Sequence, residues 1–139
     1  MKRSDSTGPM RAFIKKGARF FLNGALMRAS DSVTLDIHAV DVLLMPSHLI
    51  DAEEVHTPLQ QLYYCVQQML IAPERKAEWQ EGLRSCVAGA GLPDREVLRP
   101  VLRLVEREKY QSAMAQLRKV MREERDSQSR GTEATSRRV

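Results

Sequence analysis

The chain has 139 residues, 42% of them apolar and 5% aromatic, with a formal net charge of +4. That length suits one modest domain with an aliphatic core, and no apolar run approaches the roughly 20 residues a membrane helix needs. The start, Met1-Lys2-Arg3-Ser4-Asp5-Ser6-Thr7, has no signal-peptide apolar stretch behind it, so a cytoplasmic protein is expected. Charge is unevenly spread. Residues 1–30 carry seven bases and one acid, residues 31–60 six acids and no Lys or Arg, and residues 92–139 twelve bases and eight acids. Such asymmetry bears on partners: nucleic acid, an acidic protein, or the acidic middle of the chain itself.

In chain order, residues 1–9 read as a frayed lead-in. Met10, Ala12 and Ile14 alternate with Arg11, Phe13 and Lys15, the period of a strand. Lys16-Gly17 turns the chain. Arg19–Leu22 and Ala25–Arg28 then flank Asn23-Gly24, a pair suited to a type I′ hairpin turn because both central residues need positive φ. After a second turn at Ala29-Ser30-Asp31, Val33, Leu35 and Ile37 alternate with Thr34, Asp36 and His38 as another strand. A last strand is expected over Val40–Met45, stopped by Pro46. These strands predict a small antiparallel sheet or partly closed barrel over residues 10–45.

The periodicity then becomes helical. Thr57 as N-cap and Pro58 at the first helical position open a helix whose buried face takes Leu59, Leu62, Tyr63, Val66 and Leu70. A second helix over residues 74–88 would bury Trp79, Leu83, Cys86 and Val87, and Gly89-Ala90-Gly91 breaks it. The third starts near Pro93-Asp94 and runs to Glu106 on Leu98, Val101, Leu102 and Val105, with Pro100 weakening its first turn. The fourth, about Lys109–Glu124, would bury Tyr110, Met114, Leu117 and Met121. Residues 126–139 are nearly without apolar content and are expected to be disordered. The predicted fold class is α+β. One domain over residues 1–125 combines the β unit (10–45) with a bundle of about four helices (57–125).

Three segments carry a family resemblance: Lys15-x-Gly17-x-Arg19-Phe20-x-Leu22-Asn23-Gly24-Ala25, Thr57-Pro58-x4-Tyr63-Tyr64-x-Val66-Gln67-x-Met69-Leu70-Ile71-x-Pro73, and the looser Tyr110-x2-Ala113-x3-Leu117-Arg118. In this order and at these distances the chain resembles the FlbT family of flagellar biosynthesis regulators. The resemblance implies a cytoplasmic, non-enzymatic, post-transcriptional regulator or repressor. It would associate with the 5′ untranslated leader of flagellin mRNA and work alongside FlaF or another flagellar protein. It leaves open repression or activation, and a homo-oligomer.

Candidate RNA contacts follow from charge. Lys15, Lys16, Arg19 and Arg28 sit together on a short hairpin, and cations placed so reach phosphates. A hairpin edge kept charged against pairing with other chains explains them equally well. Phe20 or Phe21 would stack a base if exposed, although a core role is favoured. Arg95, Arg99, Arg103 and Arg107 recur every fourth residue on one helical face, with Arg103 and Arg107 the pair least disturbed by Pro100. Arg118, Lys119, Arg122 and Arg125 read as favourable charge at a helix C-terminus.

The alternative reading is a protein-binding adaptor that does not touch RNA. Exposed Leu43, Leu44 and Met45 would favour it, because a contiguous apolar patch marks a partner site. No catalytic, cofactor or metal site is expected. Cys65 and Cys86 match no redox or metal spacing. His48, Asp51, Glu53, Glu54 and His56 read as an acidic loop rather than a ligand set. His38 and Ser85 have no arrangement of nucleophile and base around them.

Overall fold

The computed structural model describes the backbone of residues 9–137 and side chains as far as residue 128, so most of the expected lead-in lies outside the described residues. The fold is α+β. The chain divides into two compact units, Met1–Asp51 and Ala52–Val139.

The first unit holds β1 (Met10–Ile14), β2 (Arg19–Leu22), β3 (Ala25–Arg28), β4 (Val33–Ile37) and β5 (Leu43–Leu44). They form two small antiparallel sheets, β1-β4 and β3-β2-β5, rather than one sheet or a barrel. The β1–β2 turn explains the split. The Ala18 N–H donates to the Lys15 carbonyl (2.9 Å), with Gly17 at φ 85° between them. Gly17 then donates to Ala29 (2.8 Å), so the chain leaves β1 and enters the other ladder, freeing β1 to pair with β4.

The hairpin turn forms as its sequence predicts, with positive φ at Asn23 (44°) and Gly24 (95°). Asn23 also does what the turn rule does not foresee. Its side-chain oxygen accepts from the Asp41 (3.0 Å) and Val42 (2.9 Å) amides, and its own N–H donates to the Val42 carbonyl. Residues 41–42 are thereby bonded to the turn, which is why the expected strand over 40–45 shortens to Leu43–Leu44. Ile14, Phe20 and Ala29 form a buried cluster, covered by Ala18, Met27, Leu35 and Met45.

The second unit contains α1 (Pro58–Ile71), α2 (Lys76–Ala88), α3 (Arg95–Glu106) and α4 (Tyr110–Arg137). α1 is central and packs against α2 and α4, while α3 packs on α4. Its buried side includes Leu62, Cys65, Val66 and Met69. A reciprocal cap starts it: Gln60 N donates to Thr57 Oγ1 (3.1 Å), and Gln60 Oε1 accepts from Thr57 N (3.1 Å) and His56 N (2.7 Å). Replacing Thr57 with Ala removes one half of this box and should cost about 1 kcal/mol in urea unfolding.

One expectation is corrected. Trp79, Leu83, Cys86 and Val87 on α2 are only half-buried, because α2 leans on α1 along one edge and leaves its α3 side open. Pro100 lies inside α3, which runs to Glu106 as the sequence predicts. α4 is assigned over Tyr110–Arg137. Tyr110, Ala113, Met114, Leu117 and Val120 anchor its first half, and an anchored helix propagates at one backbone bond per residue without needing a further apolar face. Arg118, Lys119, Arg122 and Arg125 therefore lie in mid-helix, not at its end.

The α3–α4 connection is a Schellman motif. Lys109 N donates to Leu104 O and Glu108 N to Val105 O (2.9 Å each), with Glu108 at φ 60°. A glycine is usual there. Here the Glu108 carboxylate instead accepts from Lys76 Nζ (2.9 Å) at the start of α2 and holds that lysine above its ordinary pKa.

Candidate nucleic-acid interface

The four hairpin cations do gather, but at the end of the hairpin away from Asn23-Gly24. Lys15 and Lys16 occupy the β1–β2 turn, and Arg19 and Arg28 are the first cross-strand pair after it. Like charges directly opposite one another are unfavourable. Asp51 relieves this pair by ion-pairing with Arg19, so the acidic middle does neutralise part of the basic hairpin. Lys15, Lys16 and Arg28 remain exposed, with no ion-pair partner among the described residues.

Phe20 and Phe21 are both core residues, at 7% and 2% exposure. Adjacent residues point to opposite faces of a strand, so β2 is buried on both sides: Phe20 joins the cluster with Ile14, and Phe21 lies across from Leu44. The available aromatic is Phe13, 61% exposed in the middle of β1 opposite Thr34. It shares its face with Arg11, which pairs with Asp36 (2.9 Å), and Lys15 follows just past the end of the strand. The signal was present in the alternation, since Phe13 stands in the polar set of β1, out of phase with Ala12 and Ile14.

The arginine ladder also rearranges. Arg95, Arg99 and Arg103 line one shallow cleft with Leu102 and Glu106, so Pro100 does not displace the first two. Arg107 is the C-cap of α3 and is not among the residues lining it. Arg99 pairs with Glu96 (3.1 Å), while Arg95, Arg103 and Arg107 have no ion-pair partner among the described residues.

Leu43 and Met45 are half-buried and Leu44 is fully buried, so the exposed patch that would favour partner binding at 43–45 is not formed. Burial raises the thiol pKa of both Cys65 and Cys86, the opposite of what a reactive cysteine requires. Cys86 is occupied locally, its thiol donating to the Pro58 carbonyl (3.3 Å). Burial likewise raises Tyr63, against the opposing pull of a 2.9 Å hydrogen bond from Arg118. His48 Nδ1 accepts from Met45 N (3.1 Å), and Asp51 holds Arg19. Among the described residues no group of three or more His, Cys, Asp or Glu is placed to hold a metal ion. None of their helices is long and apolar enough to cross a membrane.

What the geometry defines is a small α+β protein with exposed cations and an exposed aromatic, Phe13, in one unit and an arginine-edged cleft in the other. The chain belongs to the FlbT family, described as flagellar protein FlbT, which it matches over residues 10–127. FlbT is a family of regulators rather than of enzymes. Similar proteins include one from Brucella ovis, 32% identical over 105 residues, which span 74% of this chain and 68% of the relative. One from Allorhizobium ampelinum is 38% identical over 69 residues (50% and 46%), and one from Brucella abortus 35% over 75 residues (54% and 49%). Each of these relatives is named a probable flagellum biosynthesis repressor protein FlbT. No solved structure is a significant match.

Proposed function

We propose that this regulator of flagellar synthesis acts after transcription, in the cytoplasm, by associating with the 5′ untranslated leader of flagellin mRNA. The observation that carries the reading is an exposed Phe13 near the end of β1, followed within the next three residues by the exposed Lys15 and Lys16 of the β1–β2 turn, with Arg28 also exposed where β3 ends beside that turn. Single-stranded RNA is held by two kinds of contact, cations on phosphates and flat side chains under unstacked bases. The first unit offers both. Arg19 contributes less than its position suggests, because its charge is already matched by Asp51.

The test is binding of a flagellin-leader RNA across a salt series. Lys16→Glu with Arg28→Glu should weaken binding at least tenfold and flatten the salt slope by roughly 1.5, as loss of two phosphate contacts on a single strand requires. Phe13→Ala should weaken binding by about 1–3 kcal/mol while leaving the salt slope unchanged, because stacking releases no counterions. Thermal unfolding run alongside separates these effects from misfolding. Unchanged affinity and slope in folded variants would move the RNA surface to Arg103 and Arg107. If reversing those also left binding intact, an adaptor that docks FlaF or another flagellar protein would be the better account.

A further inference from the structure

α2 and α3 both pack toward α1 and α4 but leave a long gap between themselves. The gap is an open groove of about 680 Å³. Met69 of α1 forms part of its floor, Leu83 and Val87 of α2 one apolar wall, and Leu102 and Val105 of α3 the other. The α2 and α3 wall residues are only half-buried, so each helix keeps part of an apolar face uncovered. A site of this kind suits the hydrophobic face of a third helix, read as anchors at i, i+3, i+4 and i+7.

Charge selects the occupant. On the α3 side the groove is edged by Arg95 and Glu106, and a cleft that shares these two and Leu102 with it adds Arg99 and Arg103. Arg99 is matched by Glu96, whereas Arg95 and Arg103 have no ion-pair partner among the described residues. On the α2 side Glu81 and Arg84 pair with each other (2.6 Å), leaving that rim neutral. The groove is thus apolar at its centre and neutral along its α2 edge, while its α3 edge becomes net positive where the adjoining cleft adds Arg103. We propose that it is a docking site for an amphipathic helix of a partner protein, one whose apolar stripe is bordered on one side by Asp and Glu. The acidic border would lie along α3, and the opposite border along Ser85 and Ala88 of α2 carries no charge requirement. Ordinary aliphatic anchors fill the centre.

Selection from a displayed library of amphipathic helices, with positions on both borders of the apolar stripe randomised, tests this against the full chain. Helices enriched in Asp or Glu on one border only are expected. A synthetic winner should lose at least tenfold in affinity on Arg95→Glu with Arg103→Glu. It should lose as much on Ser85→Trp, which places a bulky ring on an exposed wall position without entering the core. Winners with neutral or basic borders, no winners, or winners indifferent to both variants would overturn the proposal. So would displacement of the winner by a flagellin-leader RNA that itself fails on Arg95→Glu with Arg103→Glu, since the arginine edge would then be an RNA surface.

Discussion

Leu62→Ala should lower the stability of the helical unit by about 2–5 kcal/mol, the range for emptying a leucine site in a close-packed core. Leu62 has no exposed surface and lies on the helix that packs against both α2 and α4. α2 has no fully buried residue of its own, so its place depends on the side chains that α1 presents. A cavity at Leu62 therefore weakens the helix on which both neighbours pack. Urea unfolding followed by helical circular dichroism gives the number. Leu26→Ala is the control: Leu26 is 45% exposed on β3, and its truncation should stay within about 0.5 kcal/mol. Equal losses at the two positions would show that α1 is not the centre of the core.

How far the sequence reaches is clearest where a local rule had no competitor. Asn23-Gly24 needed only positive φ at two residues, and Thr57-Pro58 only a cap and a first turn; both formed as read. Pairing was not legible in the same way. Four or five short strands at hairpin spacing suggest one small antiparallel sheet or a partly closed barrel, yet β1 joins β4 in a sheet of its own, because the bonds of Gly17 to Ala29 and of Lys16 N to Ser32 Oγ link residues that no period connects. The hairpin cations were legible as charge, but Asp51 is 32 positions from Arg19, and nothing in either segment announces the pair. The exposure of Phe13 was legible in the alternation of β1. Its phase along β1 put it with Arg11 and Lys15, while the double phenylalanine of β2 drew attention and proved to be core. The α2–α3 groove was not legible at all, since a helical stripe shows which residues avoid water and not how completely a neighbour covers them.

Gly91→Ala is expected to be the most damaging single substitution in a loop of this protein. Gly91 has φ 98°, which L-residues adopt at a cost of about 1–2 kcal/mol, and its Cβ would sit 2.8 Å from Pro58 Cγ. A proline ring at the first position of α1 has little freedom to yield, so overpacking adds to backbone strain and the total should reach about 2–4 kcal/mol. The two contributions separate in a double-mutant cycle with Pro58→Ala. Without the ring, Gly91→Ala should cost only the backbone share, about 1–2 kcal/mol. The same site shows why strain there reaches beyond the loop. Cys86, near the end of α2, bonds the Pro58 carbonyl, so Pro58 receives the Gly89-Ala90-Gly91 loop on its ring and α2 on its backbone. Displacing Pro58 disturbs the first turn of α1 and the last turn of α2 together. Because Val87 and Ala88 in that turn line the groove, Gly91→Ala should also weaken any helix bound between α2 and α3. If the substitution is neutral in urea unfolding, or equally costly with and without the proline ring, the packing of this loop on α1 does not stabilise the fold.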